Sequence, residues 1–120
     1  MIKTGNYNEK TTHCGAGFRQ RFVNPAISQA VTRQKLKRLA QEGVDVCVHM
    51  CHNCALQLDR NHSIIEQSAN EEYPFVHLHT QQLVALALGA DPDTVCGVKA
   101  HSQDVEPILE RIGARERVSV

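Results

Sequence analysis

Apolar positions recur along this chain with two different periods, and the alternation between them predicts the elements. Residues 44–50 form a valine-rich apolar run, bounded by Gly43 and ending abruptly in Cys51-His-Asn-Cys54. Such a run fits a strand buried in a parallel sheet. Before it, Asn24-Pro25 reads as a helix start, with Asn as N-cap and Pro at the first helical position. That helix is expected to run to about Glu42 and stop at Gly43. Val31, Leu36, Leu39 and Ala40 fall on one side of its wheel and Arg33, Lys37 and Gln41 on the other. Lys35 lies toward the apolar side, where a lysine commonly buries its stem and keeps its ammonium in water. After the strand, Ala55, Leu58, His62, Ile65 and Ala69 return at helical spacing, which predicts a helix starting near His52.

Pro74-Phe-Val-His-Leu78 reads as a second short buried strand. Thr80 is expected to cap a third helix through Leu88, closed by Gly89. Asp91-Pro92 starts a short helical turn, and residues 105–112 a further helix with Pro107 in its first turn and Gly113 at its end. Residues 1–12 are polar with strand character only around 7–12, and residues 114–120 are expected to fray. Strands alternating with helices imply an α/β fold: a small parallel sheet of βαβ units with right-handed crossovers, flanked by helices. The 120 residues suit one domain, 1–120. Open α/β sheets bind ligands just past the carboxyl ends of their strands, which is where Cys51 and Cys54 fall.

Thirteen basic and thirteen acidic residues cancel, so the chain lacks the electrostatic footprint of a protein that binds nucleic acid or an anionic membrane. No stretch approaches the apolar length needed to span a bilayer; the longest lies around residues 83–88. The start, Met-Ile-Lys-Thr-Gly-Asn, is polar and unlike a signal peptide. Five cysteines, an odd number without an export signal, suggest reduced thiols in the cytoplasm.

Cys51-x-x-Cys54 in that setting points to metal or redox chemistry, metal before redox. A helix starting near His52 would aim unpaired N–H groups and its positive dipole end at the sulfurs, favouring thiolates. Upstream, His13-Cys14-Gly15-Ala16-Gly17 places a thiol before a Gly-x-Gly turn whose amides could close on a sulfur or an anion; an ordinary surface turn is the plainer reading. Cys47, between Val46 and Val48, reads as a small buried hydrophobe, and Cys96 as unligated. His62 lies in an apolar stripe and reads as a core histidine. His77 and His79 flank Leu78 near the same sheet edge as Cys51.

Taken together, these strings resemble a known module. His13-Cys-Gly-Ala-Gly17, Val48-x-x-Cys-x-x-Cys-x-x-x-Leu-Asp59 and His77-Leu-x-Thr-Gln-Gln-Leu-x-Ala-Leu-Ala-Leu-Gly89 are similar to the CCG domain, the cysteine-rich module of the heterodisulfide reductase B subunit and related electron-transfer proteins. The likeness continues through Asp91-Pro-Asp, Gly97-Val-Lys-Ala-His101 and Glu106-Pro-Ile-Leu109, which resemble the end of the second CCG module of that family. The resemblance implies a non-cubane [4Fe-4S] cluster held by Cys14, Cys51 and Cys54, with Gly15 and Gly17 forming the close turn around the sulfurs. It also implies electron transfer or disulfide reduction beside other heterodisulfide reductase-like subunits: iron-sulfur and flavin subunits, or a second CCG module. His13 stands where the family has the first cysteine of a Cys-Cys pair, and His52 where it usually has proline.

Histidine can replace cysteine as an iron ligand and serves zinc equally well. Cys14, Cys51, Cys54 and His13 therefore also make a Cys3His set suited to structural zinc, with His52, His49 and His79 as rival fourth ligands. Three functions follow: a cluster-bearing electron-transfer module, a zinc-stabilised assembly domain without redox chemistry, and a thiol-disulfide oxidoreductase in which Cys51 attacks and Cys54 resolves.

Overall fold

The structure, a computed structural model, describes residues 14–119. The expected strand around residues 7–12 lies outside them, as does His13. After a short 3-10 turn at Gly17–Arg19 come α1 (Gln20–Val23), α2 (Pro25–Gln41), β1 (Val46–His49), α3 (His52–Ala69), β2 (Val76–His79), α4 (Thr80–Ala87) and α5 (Glu106–Ile112), with a second 3-10 turn at Val98–Ala100 before α5. A two-stranded parallel sheet is flanked by helices in one domain, the expected class.

Local chemistry sets the boundaries much as the pattern predicts. The Asn24 side chain accepts a hydrogen bond from Ile27 N at 3.3 Å, and Pro25 opens α2. Gly43, at φ +69°, follows its end. α3 begins at His52, immediately after Cys51, and terminates at Asn70 in the left-handed region, φ 51°. In α4, His79 rather than Thr80 precedes the first helical residue, and its backbone N–H donates to Gln82 Oε1 at 2.8 Å. The Thr80 hydroxyl instead donates to the His49 carbonyl at 3.0 Å, tying the end of β1 to the start of α4.

Register fixes what each sheet face carries. Val46 pairs with Val76, Cys47 with His77, Val48 with Leu78 and His49 with His79. Because side chains alternate along a strand, Cys47, His49, His77 and His79 share one face. The first core cluster, beside that face, includes Leu36 and Leu39 of α2 with Leu58 and Ile65 of α3, Tyr73 and Phe75. A second cluster packs Leu78 and Leu86 against Val98, Val105, Ile108, Leu109 and Ala114, with Val46 and Val76 at its border.

Residues 114–119, in the stretch expected to fray, make several hydrogen bonds and ion pairs to the rest of the chain. Ala114 is buried and its N–H donates to the Leu109 carbonyl at 3.0 Å. Arg115 reaches both Glu106, at 2.7 Å, and Asp93, at 3.1 Å. Ser119 N donates to the Gly89 carbonyl at 2.7 Å.

Candidate metal centre

Three thiols from two distant segments meet at the carboxyl end of β1. Cys14, Cys51 and Cys54 line one cleft of about 390 Å³, together with Gly17, Arg19, Arg21, Phe22 and Asn53. Cys14 is buried, Cys54 half-buried and Cys51 exposed. No histidine of the described residues lines this cleft. Of the rival fourth ligands, His49 is buried against His77, His79 contacts the Gln81 side chain, and His52 is an exposed residue of the first turn of α3.

α3 delivers Cys51 and Cys54 by its own start, whereas Cys14 depends on a buried polar bracket. The Thr32 hydroxyl of α2 donates to the Cys14 carbonyl at 2.7 Å, and the Ser28 hydroxyl to the Gly15 carbonyl at 2.7 Å. Gln57 of α3 donates to both hydroxyl oxygens, at 3.1 Å to Ser28 and 3.0 Å to Thr32. One amide thus links the helix carrying Cys54 to the loop carrying Cys14. This explains why Ser28 and Thr32 are buried on α2, since buried hydroxyls persist where they are hydrogen-bonded.

Gly15 makes the close approach possible. Its φ is +103°, and an added Cβ would lie 2.5 Å from the Ser28 carbonyl oxygen and 2.6 Å from Thr32 Oγ1. The expected turn is therefore built at Gly15, but it closes on α2. Gly17 lines the cleft as the first residue of a 3-10 turn. Gly15→Ala is expected to destabilise the metal-free chain by about 2–4 kcal/mol through backbone strain and overpacking, read by urea unfolding.

The thiols divide by environment. Backbone N–H of Cys54, the Cys54 thiol and backbone N–H of Asn53 hold the Cys51 thiol below its usual value. This is the effect expected of a helix start on a sulfur. Cys54 is pushed up to about 12 by burial and by its neighbours Cys14 and Cys51. Crowding of that kind is relieved when a cation takes the place of the thiol protons. Arg19 and Arg21 add positive charge to the rim; the Arg21 guanidinium donates to Asn53 Oδ1 at 3.0 Å through Nη2, while its buried Nε has no acceptor among the described residues.

The segment that holds Cys14, Cys51 and Cys54 is similar to known proteins. A family model described as a cysteine-rich domain, CCG, matches residues 2–59. The chain carries a CCG domain. The B subunit of ferredoxin:CoB-CoM heterodisulfide reductase from Methanosarcina acetivorans is 44% identical over 107 residues, covering 89% of this chain and 34% of that protein. A second protein of that organism, the B subunit of a ferredoxin/F(420)H(2)-dependent CoB-CoM heterodisulfide reductase, is 34% identical over 105 residues, 87% of this chain and 35% of that one. A protein of Archaeoglobus profundus described as like the heterodisulfide reductase B subunit is 28% identical over 112 residues, 92% of this chain and 36% of its own length. The chain thus spans about a third of the length of these relatives.

In the CCG domain a chain of histidine rings that single-residue reading missed joins β1, β2 and α3. His49 Nε2 is 2.8 Å from His77 Nδ1, His77 Nε2 is 2.8 Å from His62 Nδ1, and His62 Nε2 is 2.9 Å from the Tyr73 carbonyl oxygen. Burial lowers all three, His49 to about 4 and His77 to about 3, with the neighbouring rings adding to the effect on His77. The rings are neutral at pH 7, and His62 is the core histidine its stripe predicts. A separate pair, His101 Nδ1 to Asp59 Oδ2 at 2.6 Å, ties the loop before α5 to α3. The signal available in sequence was the period-two spacing of Cys47 and His49.

Proposed function

We propose that Cys14, Cys51 and Cys54 bind an iron-sulfur cluster and that the chain serves electron transfer or disulfide reduction, as a module of a heterodisulfide reductase-like complex. The observation that carries this reading is the convergence of the three thiols on one cleft. The donor set fits: thiolates suit iron-sulfur clusters and zinc, not magnesium or calcium. The helix start, Arg19, Arg21 and the acceptorless Arg21 Nε suit a negatively charged group. Bound there, a cluster would supply one-electron chemistry at a thiol-binding face. The chain's own part is to gather the sulfurs through the Thr32–Gln57 bracket and to offer the exposed Cys51 side to the reactant.

The relatives are named as subunits, which supports partner subunits for this chain. The cleft margin supports the same reading: Phe22, which lines it, is 76% exposed, and Met50, beside Cys51, 83%. Exposed large apolar side chains beside a site suit coverage by another protein. Five free thiols suit a reducing compartment such as the cytoplasm, and no helix among the described residues is long and apolar enough to cross a membrane.

One observation favours a second reading. Among the described residues only three thiols line the cleft, and three thiolates with one further donor, such as His13, make a structural zinc set. Anaerobic purification followed by iron, zinc and acid-labile sulfide analysis separates the two. Several irons per chain with matching sulfide support the cluster; zinc without sulfide, lost in Cys51→Ser, supports the zinc domain and overturns the redox reading.

A further inference from the structure

We propose that Cys47, His49 and His77 form a second metal site, distinct from the thiol cleft, which binds a borderline-soft divalent cation such as zinc through one thiolate and two imidazoles. The ligating atoms of the three residues all lie within 4.8 Å of one another. Their convergence follows from the backbone. Cys47 and His49 are two apart on β1, and His77 is the register partner of Cys47 on β2. Two donors on one strand and a third on its neighbour give three donors on one face without a loop having to be ordered.

The hydrogen bonds behind the site fix its protonation. The Tyr73 carbonyl can only accept, so His62 Nε2 carries the proton and His62 Nδ1 a lone pair. His77 Nε2 must then donate to His62, which leaves the lone pair of His77 Nδ1 directed at His49. A ligand histidine whose other nitrogen donates to a fixed acceptor is the usual arrangement around protein metals. Here that arrangement exists with His49 Nε2–H standing at 2.8 Å where the cation would come. A zinc ion about 2.0–2.1 Å from each nitrogen needs the two rings to part by only about half an ångström.

Binding displaces one proton to solvent, that of the Cys47 thiol, while the His49 proton moves from Nε2 to Nδ1. Burial holds the Cys47 thiol at about 11 in the absence of a cation, partly offset by Lys35. Asp59 acts on both rings in the sense that favours positive charge, and Lys35 opposes it at His49. Three protein donors leave a fourth position for an exogenous ligand, the number found in zinc sites that keep an open position.

The test uses the full chain with Cys14, Cys51 and Cys54 all replaced by serine, which removes the cleft thiols and keeps Cys47. Titration with cobalt(II), a spectroscopic stand-in for zinc, is expected to give thiolate-to-metal charge-transfer absorption saturating at about one ion per chain. Adding Cys47→Ser should abolish that band while circular dichroism stays unchanged. Absence of the band in a folded triple variant, or its persistence after Cys47→Ser, overturns the proposal. Should the triple variant not fold, the unmodified chain answers by alkylation with peptide-resolved mass spectrometry. Zinc protecting Cys47 at least tenfold, with His77→Gln removing the protection, supports the site; equal labelling with and without zinc refutes it.

Discussion

Metal-free protein should lose stability steeply as the pH falls from 6.5 toward 4, before most of its carboxylates are neutralised. His49 and His77 are the cause. Unfolded histidine titrates near 6.5, whereas burial lowers His49 to about 4 and His77 to about 3 in the folded chain. Between those limits the unfolded state binds more protons, so stability rises with pH. It is fully present above 6.5 and is lost as the pH drops toward the folded values. Each ring contributes a slope of about 1.4 kcal/mol per pH unit. Two rings over two units come to about 5 kcal/mol, comparable with the whole stability of a small domain. His62 is lowered in the same direction and steepens the loss. Asp59, also lowered because the His101 hydrogen bond and Ser102 N–H outweigh its burial, acts at lower pH, below the ordinary carboxylate value. Urea unfolding at half-unit pH steps measures the slope. His49→Gln, whose amide can still donate to His77 Nδ1, should reduce it by about 1.4 kcal/mol per unit. A flat profile between pH 6.5 and 5 would show that the rings are not held neutral.

Much of the fold was legible because single-residue chemistry decided it. Asn24-Pro25 opens α2, Gly43 follows its end, and the stripe of Leu58, His62 and Ile65 is the buried face of α3. Cys14, Cys51 and Cys54 were singled out together through family likeness, and the structure places all three along one cleft. What was not legible depends on relations between segments. Thr32 and Ser28 fall on the Leu36 and Leu39 side of α2 by spacing, but what their hydroxyls bond there becomes visible only when the Cys14 loop supplies the carbonyls. Cys47, taken alone, is a small hydrophobe; only the strand register sets His77 opposite it. The residues after Gly113 read as a fraying tail because the partners of Arg115 and Ser119, Asp93 and Gly89 among them, lie far back in the sequence.

Serine at position 14, 51 or 54 should reduce bound iron and sulfide to background in anaerobically purified protein, while serine at 47 or 96 leaves both unchanged. A serine hydroxyl does not ionise as a thiol does at neutral pH and is a far poorer ligand for iron or zinc. The two controls are chosen by position. Cys96 packs at the border of the second core cluster, and Cys47 faces the histidine rings, so neither sulfur lines the cleft. Thr32→Val separates ligation from placement. It keeps all three thiols but leaves the Cys14 carbonyl without this hydroxyl donor and takes one acceptor from the Gln57 amide. Unmet buried hydrogen bonds of that kind cost about 1–3 kcal/mol. If the bracket positions Cys14, this variant should lose metal several times faster than the parent on exposure to a chelator, with its initial content near that of the parent. If Cys14→Ser instead keeps full iron while Cys51→Ser and Cys54→Ser lose it, the centre is held by the Cys-x-x-Cys pair with donors from outside this cleft, and Cys14 is a core residue.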